Sequence, residues 1–84
     1  MKRIAIIVHA EVPERVSEAL RAALGLGLRG DAVDLLLAPG ARQAATAPRA
    51  TQALALLGEL GRPPGDWADL GAVLAAASAV EVWT

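Results

Sequence analysis

The hydrophobic pattern begins with an apolar run at residues 4–8, IAIIV, in which most side chains are β-branched. A continuous run without alternation is typical of a strand that is buried on both faces of a parallel sheet. We therefore predict that residues 4–8 form a strand and that this strand is central in its sheet.

The segment that follows has the spacing of an amphipathic helix. Pro13 suits the first helical position, and Glu14 places a negative charge in the first turn, where the helix dipole stabilises an anion. Apolar residues recur at helical intervals at Val16, Ala19, Leu20, Ala23, Leu24 and Leu28. They predict a helix with one apolar stripe against the sheet, ended by Gly27 or Gly30 in the left-handed conformation.

The next segment predicts a second strand, a loop and a second helix. Residues 31–37, DAVDLLL, form the strand, and the proline and glycine at 39–40 make a turn. Residues 41–48, ARQAATAP, are small and polar enough to predict a mobile loop. The helix then follows Pro48 and ends at Gly61. Its apolar face consists of Ala50, Ala53, Leu54, Leu57 and Leu60.

A third helix and a third strand follow the rigid connector at residues 62–65, RPPG. Asp66 suits the N-cap of this helix, and Asp69 adds an acidic side chain to its first turn. Its apolar residues are Trp67, Leu70, Val73, Leu74 and Ala77. Residues 80–84, VEVWT, alternate as in a short strand that is half exposed.

This order of elements predicts a single α/β domain over residues 1–84. Long helical crossovers join parallel strands with right-handed connections, so we expect a short parallel sheet flanked by about three helices in three layers. The first strand is the most apolar, whereas the second and third carry Asp34 and Glu81. The strand order 2-1-3 therefore fits best.

Composition favours association between copies of the chain. Of its 84 residues, 55% are hydrophobic but only 2% are aromatic, so Ala, Leu and Val must build most of the core. A domain of this size buries only about 60% of the surface of its unfolded chain, and oligomerisation is a common way to bury more. We predict a homo-oligomer, with Trp67 as a candidate anchor of the subunit interface.

Residues 25–30, GLGLRG, have the glycine spacing of a dinucleotide-binding loop. Such a loop lies between a strand and the start of the next helix, where free amides and the helix dipole meet the pyrophosphate. Here the glycines follow a predicted helix and precede a predicted strand, so they face the negative end of the dipole. We interpret them as helix termination and predict no cofactor.

Charge, cysteine and histidine content exclude several classes of function. Eight Lys and Arg against nine Asp and Glu give a net charge of −1, so nucleic acid is not an expected partner. The lack of cysteine excludes disulfides, thiolate metal sites and thiol nucleophiles. The single histidine, His9, excludes a multi-histidine metal site within one chain. We predict neither a metal site nor a complete catalytic arrangement.

Targeting signals are not expected either. The stretch MKRIAIIVHAEVPER has two basic residues before an apolar run, but the run is short and no small-residue cleavage site follows it. It is therefore interpreted as a strand rather than a signal peptide. Charged residues interrupt the apolar stretches before the ~18 residues that a membrane span requires. We expect a cytoplasmic protein without a membrane partner.

The strand order predicts one candidate binding cleft. In an open parallel sheet, ligands bind beyond the carboxyl ends of the strands where the order reverses, which here lies between the first and third strands. His9 and Glu11 follow the first strand, and Trp83 lies in the third. We predict these as ligand-binding residues, with Glu11 orienting His9 and Trp83 forming a stacking wall. The other interpretation is that His9 is a structural or interface group.

Taken in order, these segments resemble the DsrE/DsrF-like superfamily of small sulfur-relay proteins, which includes the Dsr and Tus subunits. The resemblance rests on KRIAIIV at residues 2–8, PERVSEALRAALGLGLRGDAVDLLLAPGA at residues 13–41 and ASAVEVWT at residues 77–84. It implies a three-layer, flavodoxin-like α/β subunit that assembles into dimers, trimers or hexamers. It also implies that some members carry persulfide sulfur on a cysteine.

This chain departs from the pattern of that superfamily in two respects. It has no cysteine, and the region between its second and third strands is reduced to two predicted helices. We therefore expect a non-catalytic DsrE/F-like subunit that self-associates and pairs with a cysteine-bearing relative. The alternative is a small-ligand or nucleotide-binding α/β protein that uses the cleft after the first strand.

Overall fold

The computed structural model describes residues 2–84 and has the predicted α/β architecture. In chain order its elements are β1 (Arg3–Val8), α1 (Pro13–Leu28), β2 (Ala32–Leu37), α2 (Pro39–Ala44), α3 (Pro48–Glu59), a 3₁₀ turn (Trp67–Asp69), α4 (Leu70–Ala76) and β3 (Ala79–Trp83). None of the helices between residues 2 and 84 is long and apolar enough to cross a membrane.

The three strands form one parallel sheet in the order β2-β1-β3, which confirms the predicted order with β1 in the centre. The register places Ile6 of β1 between Leu35 of β2 and Glu81 of β3. Every residue of β1 after Arg3 is buried, as the unbroken apolar run predicts. Helical crossovers that pack on both faces explain why this strand has no solvent-exposed side.

Different helices cover the two faces of the sheet. What we name the α1 face carries Ile4, Ile6 and Val8, which pack with apolar residues of α1, α2 and α3 in the larger core. What we name the α4 face carries Ala5 and Ile7, which pack with the 3₁₀ turn and α4 in a smaller core. The result is the expected three-layer arrangement, with a sheet between two helical layers.

Helix α1 begins at Pro13 and ends at Leu28, close to the predicted bounds. Gly25 and Gly27 lie in its last turn, and Gly30 follows with a φ of 95°. Glycine adopts this left-handed conformation without a steric cost, and a residue in it ends the helix. The glycine-rich segment therefore terminates a helix and leads into β2, as its position in the sequence predicts.

The prediction of a mobile loop at residues 41–48 is wrong for about half of these residues. Pro39–Ala44 forms helix α2, and a short turn at residues 45–47 leads into α3. Pro39 occupies the first helical turn, while Ala41 and Ala45 are buried in the larger core. These two buried methyl groups hold the segment against the sheet, a tertiary contact that its small and polar composition does not reveal.

The predicted third helix begins as a 3₁₀ turn before it becomes α-helical at Leu70. The carboxylate of Asp66 accepts a hydrogen bond from the amide of Ala68 at 3.0 Å, which confirms its role as a cap. Just before it, the amide of Gly65 donates to the carbonyl oxygen of Leu35 at 2.8 Å. The connector is thus fixed beside β2, and this position determines where α4 meets the sheet.

Candidate functional site

The carboxyl ends of β1 and β3 lie side by side at one end of the sheet, where the predicted cleft lies. The amide of His9 donates to the carbonyl oxygen of Trp83 at 2.7 Å, which extends the β1–β3 ladder by one bond beyond the strand. The backbones of the two predicted ligand-binding residues are therefore adjacent. Their side chains have separate surroundings.

The side chain of His9 is exposed and contacts Trp67. The two ring centroids are 6.0 Å apart and the ring planes meet at 61°, an edge-to-face arrangement. Trp67 is half-buried and packs on the α4 face against the buried residues of the smaller core. The tryptophan predicted as an interface anchor thus covers part of the core and leaves part of its surface for contact with another molecule.

The side chain of Trp83 lies on the other face, beneath Arg15 of helix α1. The Cζ atom of Arg15 is 4.6 Å from the centroid of the indole ring. Its Nε donates to the main-chain oxygen of Thr84 at 3.2 Å, and its Nη1 donates to Glu18 at 3.1 Å. Arg15 therefore combines a cation–π contact with two hydrogen bonds, and it holds the first turn of α1 against the end of β3.

Glu11 lies at a third position, beside Gly40 in helix α2. A Cβ atom on Gly40 would come within 2.8 Å of the carboxylate oxygen Oε1 of Glu11, so the glycine allows a close approach. The two residues border an open groove of about 510 Å³ that is also lined by Pro13, Gln43, Ala44, Thr46 and Ala47. The groove follows the carboxyl ends of β1 and β2 and offers carboxylate, amide and hydroxyl groups.

The three predicted ligand-binding residues thus lie at the same end of the sheet but in different environments. His9 contacts Trp67 on the α4 face, Trp83 contacts Arg15 on the α1 face, and Glu11 lies beside α2. Within residues 2–84 no hydrogen bond joins the side chains of His9 and Glu11. The same part of the chain holds no group of three or more His, Asp or Glu side chains that could bind a metal ion.

Strand β3 presents a second candidate site, because its side chains on the α4 face are exposed. The register pairs Val80 with Ala5 and Val82 with Ile7, so both valines lie on the α4 face. The smaller core beneath helix α4 contains Ala5, Ile7 and Leu36 of β1 and β2 and no residue of β3. Val80 and Val82 consequently remain 47% and 61% exposed.

We name the surface formed by Val80 and Val82 the β3 patch. The alternation of residues 80–84 predicted that β3 is half exposed, but it carried no signal that the valine face is the open one. Arg15 was likewise not among the predicted site residues, since an arginine in a first helical turn is most simply a surface charge.

At the opposite end of the sheet, Arg3 and Asp34 form a bidentate ion pair between β1 and β2. The Nε and Nη2 atoms of Arg3 donate to the two carboxylate oxygens at 2.7 and 3.2 Å. This hydrogen bonding, together with the negative charge of Asp34, raises the pKa of Arg3. The pair joins β1 to β2 at the end of the sheet away from His9, Glu11 and Trp83.

In comparisons with known proteins, no family model, curated protein or solved structure matches this chain.

Proposed function

We propose that this chain is a non-catalytic subunit that associates with further copies of itself through β3 and the β3 patch. The observation that supports the proposal is the exposure of Val80 and Val82 on an edge strand. Isolated exposed apolar residues are common on protein surfaces. Two that share one face of a strand with an open edge form a surface that a neighbouring subunit can cover.

The edge of β3 adds polar groups to this apolar surface. The carbonyl oxygen of Trp83 points toward β1, where it accepts from His9. Successive residues of a strand turn their backbone groups to opposite edges, so Val80 and Val82 direct theirs away from β1. Pairing with another strand would satisfy these groups and cover the valine side chains in the same step.

The resemblance to DsrE/DsrF-like proteins extends the proposal to a second kind of partner. A chain with no cysteine has no thiol that could carry sulfur. In a sulfur-relay assembly its role would be structural, and a cysteine-bearing DsrE/F-like subunit would supply the thiol. The half-buried Trp67 offers an aromatic surface for such a contact.

Light scattering after size exclusion, over a wide range of protein concentration, tests self-association. We expect a discrete oligomer for the wild-type chain. Val82→Lys should weaken association at least about tenfold, because a lysine there places an unpaired charge in the interface. Leu28→Lys is the matched control, since Leu28 is 68% exposed at the far end of α1. A wild-type chain that stays monomeric throughout would contradict the proposal.

The second candidate function is binding of a small ligand at the carboxyl edge of the sheet. The groove beside Glu11 favours it, because its volume of about 510 Å³ lies within the usual range for ligand sites. Tryptophan fluorescence during titration with a panel of metabolites and nucleotides tests this function, since Trp67 and Trp83 flank the same edge. A ligand-dependent change that His9→Ala and Glu11→Gln abolish would support it, and no change with any compound would oppose it.

A further inference from the structure

The open edge of β3 restricts how two copies can pair, if the chain self-associates as proposed. Two identical strands that meet edge to edge about a two-fold axis run antiparallel, and directly opposite residues lie on the same face of the joined sheet. One residue of β3 must therefore lie opposite its own copy at the axis. An axis at either end of Ala79–Trp83 would leave half of the strand unpaired, so Val80, Glu81 and Val82 are the possible centres.

An axis at Glu81 is electrostatically unfavourable. Glu81 directs its backbone groups toward β1, so the two copies of this residue would form a non-hydrogen-bonded pair with Cα atoms about 4.5 Å apart. The side chains in such a pair are close, and like charges directly opposite each other destabilise a sheet. Glu81 is exposed, and within residues 2–84 it forms no ion pair that would offset this repulsion.

An axis at Val82 gives Glu81 a partner of opposite charge. This register places Glu81 of one copy opposite Trp83 of the other, on the α1 face. The guanidinium of Arg15 lies above that tryptophan at 4.6 Å. Its Nε and Nη1 atoms donate to Thr84 and Glu18, while Nη2 has no hydrogen bond within residues 2–84 and is free to donate to Glu81 of the other copy.

The same register also suits the backbone and the α4 face. Val82 directs its backbone groups to the open edge, so the two copies of this residue can exchange two hydrogen bonds at the axis. Their side chains meet on the α4 face, beside Val80 of each copy. An axis at Val80 would instead place Glu81 opposite Ala79, which offers no charge.

We infer that two copies pair through antiparallel β3 strands about a two-fold axis at Val82, with Glu81 of each copy bound to Arg15 of the other. The two sheets then form one six-stranded sheet in the order β2-β1-β3-β3-β1-β2. This inference rests on the proposed self-association and specifies its geometry. Because each copy supplies both charges, the interface contains two equivalent ion pairs.

Charge reversal and mixing of the full chain test this geometry. Glu81→Arg places two arginines opposite each other at both contacts, and Arg15→Glu places two carboxylates opposite each other. Each variant alone should dimerise about tenfold more weakly than the wild type. In a heterodimer of the two variants, one contact keeps the native ion pair and the other has its two charges exchanged, so both contacts are attractive. Native mass spectrometry of the mixture should therefore show the heterodimer as the main dimeric species, which also shows that both variants are folded.

Matched controls are Glu59→Arg in α3 and Arg21→Glu in α1, both at exposed positions away from β3. They should dimerise like the wild type. A fifth variant, Glu81→Gln, separates the registers, because it weakens the Val82-centred dimer by removing the ion pairs and strengthens a Glu81-centred dimer by removing a repulsion.

The outcomes separate this inference from the proposed function. A monomeric wild type would overturn the assembly and this pairing together. A wild-type dimer that Arg15→Glu leaves unchanged, or that Glu81→Gln strengthens, would retain the assembly and overturn the register. Weakened single variants whose mixture restores the dimer would establish the contact between Glu81 and Arg15 across the axis.

Discussion

The guanidinium of Arg15 lies over the indole ring of Trp83, with its Cζ atom 4.6 Å from the ring centroid. This contact joins the first turn of α1 to the end of β3, two elements that are far apart along the described chain. The same guanidinium also donates a hydrogen bond to the main chain of Thr84 at 3.2 Å. An exposed arginine thereby helps to fix the edge strand on which the proposed assembly depends.

The first prediction concerns this contact. Arg15→Ala should lower the free energy of unfolding by about 0.5–1 kcal/mol, the usual contribution of an exposed cation–π pair. Urea denaturation followed by tryptophan fluorescence measures the change. Arg21→Ala, at an exposed position in the same helix, is the control and should have a smaller effect. Equal losses for the two variants would show that the stacking on Trp83 contributes nothing.

The second prediction concerns the larger core. Leu20 of α1 is 0% exposed, and Leu20→Ala should lower the free energy of unfolding by about 2–5 kcal/mol because it leaves a cavity. A domain of this size has a small stability margin, so part of the population should be unfolded without denaturant. Circular dichroism during urea titration measures this. Leu28→Ala makes the same truncation at a residue that is 68% exposed and should cost little.

The third prediction compares two glycines at the end of α1. Gly25 lies within the helix, and a Cβ atom added there would have no neighbour within 4 Å, so Gly25→Ala should stabilise the chain by about 0.5–1 kcal/mol. Gly30 has a φ of 95°, and Gly30→Ala should destabilise by about 1–2 kcal/mol because the left-handed conformation strains a Cβ atom. Thermal unfolding of both variants should show shifts of opposite sign. Shifts of the same sign would contradict the assigned helix end.

The fourth prediction concerns the cap before α4. Asp66→Ala removes the hydrogen bond to the amide of Ala68 and should cost about 0.5–2 kcal/mol. Asp69→Ala, in the same turn, removes a carboxylate that makes no capping hydrogen bond and should cost less. Asp66→Asn retains an acceptor oxygen and should recover most of the loss. Urea titration of the three variants measures their free energies of unfolding. An equal loss of stability in both alanine variants would argue against the cap.

The prediction of the fold succeeded where local pattern and tertiary role coincide. The run at residues 4–8 could be buried on both faces only in the centre of a sheet, and the structure places β1 there. The helix after the second strand was not predicted, because its proline and glycine were interpreted as a turn, whereas Pro39 begins α2 and burial of Ala41 and Ala45 holds it in place. A short helix of this kind depends on contacts with distant residues.

The candidate cleft was also predicted only in part. Strand order alone brought His9, Glu11 and Trp83 to one end of the sheet, and a hydrogen bond joins the backbones of His9 and Trp83 there. The alternation of side chains then places their rings on different faces, where they meet Trp67 and Arg15. Those two contacts depend on how α1 and the 3₁₀ turn dock, which no short sequence window contains.

Apart from α2, the sequence by itself determined the element types, the central position of β1 and the end of α1, because hydrophobic periodicity, proline and glycine act over a few neighbouring residues. The alternation of VEVWT likewise determined that the two valines share one face of β3. Only the tertiary structure decided whether that face is covered. The bond from Gly65 to Leu35 fixes the connector beside β2, so α4 packs over β2 and β1 and leaves Val80 and Val82 open to another molecule.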